Sequence, residues 1–177
     1  MLLGALVAVP SAGAANYTHF LVSAKICPFQ RSTSATVAQK RRAMICLVNH
    51  ARKIKGLRPL KVNKKLNRAG GLKLGDNVRC DEFAHEACGK PFISVFKRSG
   101  YITKKTRSYA VGENLAWGQG LLGTPRLILL AWLRSDGHRH NLFSTQWRDM
   151  GIAYRFDKRF TGRSNVALWA NEFGRKS

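Results

Sequence analysis

Acidic side chains are scarce in this chain of 177 residues: nine Asp and Glu stand against 31 Lys and Arg, for a formal charge of +22. So few carboxylates cannot neutralise the basic residues from within. A field of that sign draws in anionic partners: nucleic acid, acidic lipid or the anionic polymers of a cell envelope. Long apolar runs are missing too. No segment reaches the ~20 residues that a bilayer crossing takes, so no transmembrane span is expected. The chain carries no internal repeat, no recognised nucleic-acid motif and no Gly-x-Ser-x-Gly nucleophile elbow. His85-Glu86-Ala87-Cys88-Gly89 comes near the His-Glu-x-x-His zinc signature but ends in Gly.

Apolar residues, by contrast, make up 45% of the chain, with four Trp and nine Phe. That suffices for one domain with a sizeable core and leaves little room for a second. Trp117, Trp132, Trp147 and Trp169 read mostly as core residues. Met1 to Val9 is a small, apolar run followed by Pro10 and Ala12-Gly13-Ala14, the pattern of a signal-peptide core and its A-x-A cleavage site. It lacks the Lys or Arg that ordinarily precedes such a run. Residues 1–14 are read as a signal peptide, 15–34 as an N-terminal arm and 35–177 as the domain. A secreted, extracellular protein is the expectation, and export favours envelope polymer or anionic lipid over nucleic acid.

Four cysteines, Cys27, Cys46, Cys80 and Cys88, allow three pairings, of which Cys27–Cys46 with Cys80–Cys88 is the most economical. Each bridge would contribute about 2.5 to 3.5 kcal/mol by loop-closure entropy. A rival reading makes Cys80, His85 and Cys88 zinc ligands. Structural zinc takes four, and no obvious fourth lies nearby. In an oxidising compartment the disulfide is expected.

Along the chain, residues 15–34 have no clear period and read as an extended arm pinned by Cys27. Ala35 to Lys55 has helical spacing (Val37, Met44, Ile45, Leu47, Val48, Ala51, Ile54), ended by Gly56. Asn63 is a good N-cap for a second helix to about Val78, weakened at Gly70, Gly71 and Gly75 by about 1 kcal/mol each relative to Ala. Pro91 opens a short helix that Gly100 ends. Val111 to Trp117 is partly extended, and Thr124-Pro125 begins a helix that Asp136-Gly137 breaks. Met150 to Phe156 and Asn165 to Phe173 read as strands separated by a basic loop with Lys158, Arg159 and Arg163. Helices followed by paired strands point to an α+β fold.

Three short stretches set an ionisable residue in a loop-like or turn-like context: Phe83-Ala84-His85, Gly112-Glu113-Asn114-Leu115-Ala116-Trp117 and Gly137-His138-Arg139-His140-Asn141-Leu142. With Asn49, Gly56-Leu57-Arg58-Pro59-Leu60, Gly100-Tyr101, Ala131-Trp132-Leu133 and Met150-Gly151-Ile152, in this order, the chain from Arg42 to Phe173 resembles the CAP superfamily. This is the group of cysteine-rich secretory, antigen-five and pathogenesis-related proteins that share the SCP domain; the match is to its bacterial exported branch. The resemblance implies an α-β-α sandwich with a central antiparallel sheet and a cleft lined by two His and two acids. Matched by motif, the His pair is His85 and His138, and one acid is Glu113. The other acid falls at Ser135, so the pattern is broken there; Asp136 is adjacent but would point elsewhere on a helix.

Two imidazoles are candidate metal ligands, zinc being the cofactor in view, with Glu113 able to hold a ring or take a proton. That would make a weak metal-dependent hydrolase, protease-like in character. Two His are nonetheless fewer than the three protein ligands usual for catalytic zinc. A second reading has Glu113 and His138 merely tying loops to the sheet. The third, which the charge favours, is a non-catalytic extracellular binding module for anionic envelope polymer or lipid. The family resemblance, which extends to lipid- and sterol-binding members, also allows a small apolar ligand.

Overall fold

The structure, a computed structural model, describes residues 16–177; the expected signal segment at 1–14 lies outside the described residues. The first helix, α1 (Val37–Ile54), starts where Thr36 accepts a hydrogen bond from the Gln39 amide and Gln39 reciprocates, a capping box. Met44, Leu47, Val48 and Ala51 recur at threes and fours and are buried. Gly56, at φ +69°, turns the chain out of the helix. Asn63 caps α2 (Lys64–Arg79) through the amides of Lys65 and Leu66, as its sequence position predicts. Gly70 proves to be a fit rather than a weakness, because a Cβ there would come within 2.9 Å of the Ala153 Cβ. Its absence lets α2 lie close on the sheet.

Three shorter helices follow: α3 (Ser94–Arg98), α4 (Pro125–Arg134), with Pro125 in its first turn, and α5 (Asp136–Phe143). The strands are β1 (Lys61–Val62), β2 (Tyr109–Gln119), β3 (Asp149–Phe160) and β4 (Arg163–Lys176), in spatial order β1-β3-β4-β2. Helix α2 covers β3 and β4 and carries α3, while α1 packs on β3, α4 on β2, and α5 on α4 and β2. The result is the α+β sandwich expected. One apolar cluster, with Met44, Leu47, Trp132, Trp169 and Phe173, fills the α1/α4 side, and another, with Leu74, Leu115, Phe160 and Leu168, fills the α2 side.

Three expectations need correction. The sheet is mixed, since β1 runs parallel to β3; the Lys61 amide donates to the Arg148 carbonyl and the Asn63 amide to that of Met150. The connector after α1 thus finds its backbone partners along β3. The basic loop is not a loop: Lys158, Arg159 and Arg163 lie in the strands, with Arg159 opposite Ser164 and Phe160 opposite Arg163. The turn is only Thr161-Gly162, at φ 47° and 75°, the positive-φ pair that suits a two-residue hairpin. Burial of Phe160 holds the strands together to their tips.

The arm is a chain of turns rather than an extended segment. Cys27 is bonded to Cys46 on α1, and buried Gln30 donates 3.0 Å hydrogen bonds to the carbonyls of Val22 and Cys27. Arg126 of α4 holds the same turn through the Val22 carbonyl (2.8 Å) and Gln30 Oε1 (2.7 Å). Cys80 and Cys88 form the other bridge, which removes the zinc reading of Cys80, His85 and Cys88. Alkylation of the unreduced protein should therefore label no cysteine, whereas reduction should expose all four, a difference read directly by mass spectrometry. Two labelled thiols before reduction would contradict the pairing.

Candidate functional site

The site is assembled along β2, at one edge of the sheet. Its floor is Glu113, which the register places opposite Glu172 of β4. The loop after α2 closes over this point. It is tied by the Cys80–Cys88 bridge and by Asn77, whose side-chain amide donates to the Ala84 carbonyl at 3.0 Å. The loop delivers His85, whose Nδ1 lies 2.6 Å from Glu113 Oε1. The contrast in exposure matters: the His85 side chain is 55% exposed and that of Glu113 is 0%. The carboxylate is therefore reached from solvent through the imidazole. Lys73, buried on α2, sits 3.6 Å from Glu113 Oε1 and donates to the His85 carbonyl.

His138 arrives from the other side of β2, on α5. Its setting is helical rather than the turn-like one expected, because the break falls at Ser135, which is extended at φ −97°, ψ 124°. Side chains then fasten α5 to the strand. Asn114 donates to the His138 carbonyl at 3.0 Å, and Asn141 donates to the Glu113 carbonyl at 3.2 Å and to Asn114 Oδ1 at 3.0 Å. Gly112 completes the fit, since a Cβ there would come within 2.9 Å of the Trp147 ring. Burial first, and then the nearby His85, holds the His138 ring below the usual histidine range, so it stays neutral to lower pH.

Ser135, which breaks the family pattern, has a clear role: its Oγ lies 2.9 Å from His138 Nδ1. A hydroxyl there fixes one ring nitrogen and leaves Nε2 for a ligand. Asp136 is no substitute acid, being 93% exposed and paired with Arg139. The acid beside Glu113 is Glu172, which sequence reasoning did not single out. Its signal was a lone carboxyl inside the run Val166 to Phe173, which is apolar but for Asn171 beside it and has both faces buried.

Glu172 is fully buried, and neither of its carboxyl oxygens has a hydrogen-bond donor; Glu113 Oε2 also lacks one. Three acceptor oxygens without a donor are costly unless a proton lies among them. Burial, and after it the charge of Glu113, raises Glu172 well above the usual carboxylate range, against the pull of Lys73. Glu172 therefore holds its proton to higher pH than an ordinary carboxyl, beside the Lys73–Glu113 pair. As for zinc, His85 and His138 each offer one Nε2. Among the described residues no three His, Cys, Asp or Glu side chains converge as a metal-ligand set. This donor set falls short of the three ligands usual for catalytic zinc.

The α+β sandwich defines the class: the chain has the fold of the SCP domain, and the CAP resemblance of its motifs is borne out. Among solved structures it is similar to an extracellular protein containing an SCP domain from Bacillus anthracis (TM-score 0.58, 19% identity, 82% of this chain and 45% of that one). It is similar also to an outer surface protein of Borrelia burgdorferi (TM-score 0.62, 18% identity, 81% and 97%) and to a cysteine-rich secretory protein of Staphylococcus aureus (TM-score 0.57, 20% identity, 79% and 40%). In sequence it is 31% identical over 125 residues to the uncharacterized protein YkwD of Bacillus subtilis, spanning 70% of this chain and 45% of that relative. No protein-family model matches the chain.

Proposed function

We propose that the protein is a secreted, non-catalytic binding module whose basic surface engages an anionic polymer or lipid of a cell envelope, with His85, Glu113 and His138 contributing polar contacts in the cleft. The observation that carries this reading is the uneven use of the few acids. Asp76 alone pairs with Arg79, Lys90 and Arg98, and Glu113 is spent on His85 and Lys73. With nine acids for 31 bases, most basic side chains are left to solvent or to an external anion. A setting outside the cell fits the two disulfides and the surface or extracellular descriptions of the structural relatives. Among the described residues no helix is long and apolar enough to cross a membrane.

The cleft itself suits holding better than turnover. Glu113 has no exposed surface from which to attack or to activate water, and the cysteines are spent on disulfides. Imidazole Nε2 atoms at the rim can donate to or accept from a polar ligand group.

Binding of this kind is electrostatic, so it weakens steeply with salt through screening and counterion release. Retention on anionic vesicles or wall polymer should be largely lost by about 0.5 M salt, where the Debye length is only a few ångströms. Cosedimentation across a salt series measures it. Retention undiminished at that salt would replace this reading with an apolar or tightly specific one.

A further inference from the structure

At the end of the sheet away from the Thr161-Gly162 turn lies a cleft of about 390 Å³ lined by Arg58, Pro59, Lys61, Trp147, Arg148, Asp149 and Lys176. Four cations meet there from separate parts of the chain, and the backbone fixes where they sit. Lys61 stands on β1, its amide bonded to the Arg148 carbonyl; the Arg148 amide is bonded to the Gly174 carbonyl of β4, whose end carries Lys176. The Arg58 carbonyl accepts from buried Arg52 at 3.0 Å, and Pro59 follows it. All four side chains are exposed and line the one cleft.

The single acid of the cleft, Asp149, is held by neutral donors and forms no ion pair with these cations. Asp149 Oδ2 accepts from the Tyr101 hydroxyl at 3.1 Å and from the side-chain amide of Asn63 at 3.4 Å. Among the described residues none of the four cations takes part in an ion pair. Lys176 donates instead to the Tyr101 carbonyl at 2.8 Å. The cleft is therefore built, concave and short of negative charge. Two guanidinium forks beside two ammonium groups suit a phosphate better than one isolated carboxylate.

We infer that this cleft seats a phosphodiester unit of a linear polyol-phosphate polymer, a proposal that rests on the binding-module reading above and gives it a site. Exposed Lys64 and Lys65 follow β1 closely in the chain and exposed Arg175 precedes Lys176, so further cations adjoin the lining residues in sequence, which suits a chain rather than a free phosphate. Nucleic acid is a poorer fit. The Trp147 ring is a buried wall, 6% exposed with its Nε1 bonded to the Asn141 carbonyl, and gives no face on which a base would stack. A lipid headgroup shares the phosphate chemistry, and the vesicle arm of the test separates the two.

The test uses a fluorescent glycerol-phosphate oligomer and three forms of the full chain: wild type, Arg58→Gln/Arg148→Gln, and Lys158→Gln/Arg159→Gln. The last removes the same charge at the opposite end of the sheet. At 0.15 M salt the cleft variant should bind at least about tenfold more weakly, and the control no more than about threefold, as expected when charge-assisted bonds rather than net charge are lost. Circular dichroism confirms that each variant is folded. Equal losses in both variants would overturn the cleft while leaving the diffuse basic surface standing. No binding by the wild type to the oligomer, the DNA or the vesicles would sink the binding-module reading itself. Tighter binding of a DNA oligomer of equal charge would overturn the polyol-phosphate assignment. Retention on phosphatidylglycerol vesicles without binding of the oligomer would do the same in favour of a lipid headgroup.

Discussion

Gly151→Ala is expected to destabilise the protein by about 3 kcal/mol, the upper end for overpacking a close contact. For a chain of this size that lowers Tm by roughly 6–12 °C. The added Cβ would overlap backbone atoms of Leu66 and Asn67 and lie 2.6 Å from the Leu66 Cβ. Backbone atoms cannot rotate aside, so α2 would have to lift from β3. Lifting would strain the bond from the Asn63 amide to Met150 and the 2.9 Å bond from the Ile152 amide to Asn67 Oδ1. It would also carry Lys73 away from Glu113. Gly71→Ala is the matched control: a Cβ there meets nothing within 4 Å, and the helix should gain up to about 1 kcal/mol. Urea unfolding of the two variants decides the point, and a Gly151→Ala protein as stable as wild type would mean that α2 is not seated as described.

Glu172→Gln should make the protein more stable at pH 8, by about 1–3 kcal/mol, while changing it little near pH 4.5. Burial and the charge of Glu113 raise the folded-state pKa of Glu172 above its unfolded value. As pH rises, the unfolded chain gives up this proton first, so the folded state binds more protons and stability falls. The contribution is complete below the unfolded carboxylate pKa and is lost as pH climbs towards the folded one. Gln carries no such proton, and its amide supplies a donor at every pH. Paired unfolding curves at pH 4.5 and pH 8 measure the difference. The same pH dependence in both proteins would show that Glu172 does not hold the extra proton.

Much of this molecule was legible one segment at a time. Asn63 and Pro125 open helices because a side-chain acceptor and a fixed φ act within one turn, and the spacing of Met44, Leu47, Val48 and Ala51 marks a buried face. The cysteine spacing favoured the two short bridges, and ordered motifs pointed to His85, Glu113 and His138. These signals are local, or are fragments of one known pattern. Other features depend on register and burial, which no short window contains. Glu172 reads as an ordinary strand carboxyl until β4 is covered on both faces and set opposite Glu113. Ser135 reads as a lost acid until α5 brings His138 to its hydroxyl. Lys158 and Arg159 look like loop residues until pairing with β4 carries the strand past them. Arg58, Lys61, Arg148 and Lys176 are unremarkable separately, and only the parallel docking of β1 on β3 makes them one cleft. Composition determined that the protein is basic; the tertiary structure decided where that charge goes unanswered, because ion pairing depends on which distant residues the sheet makes neighbours.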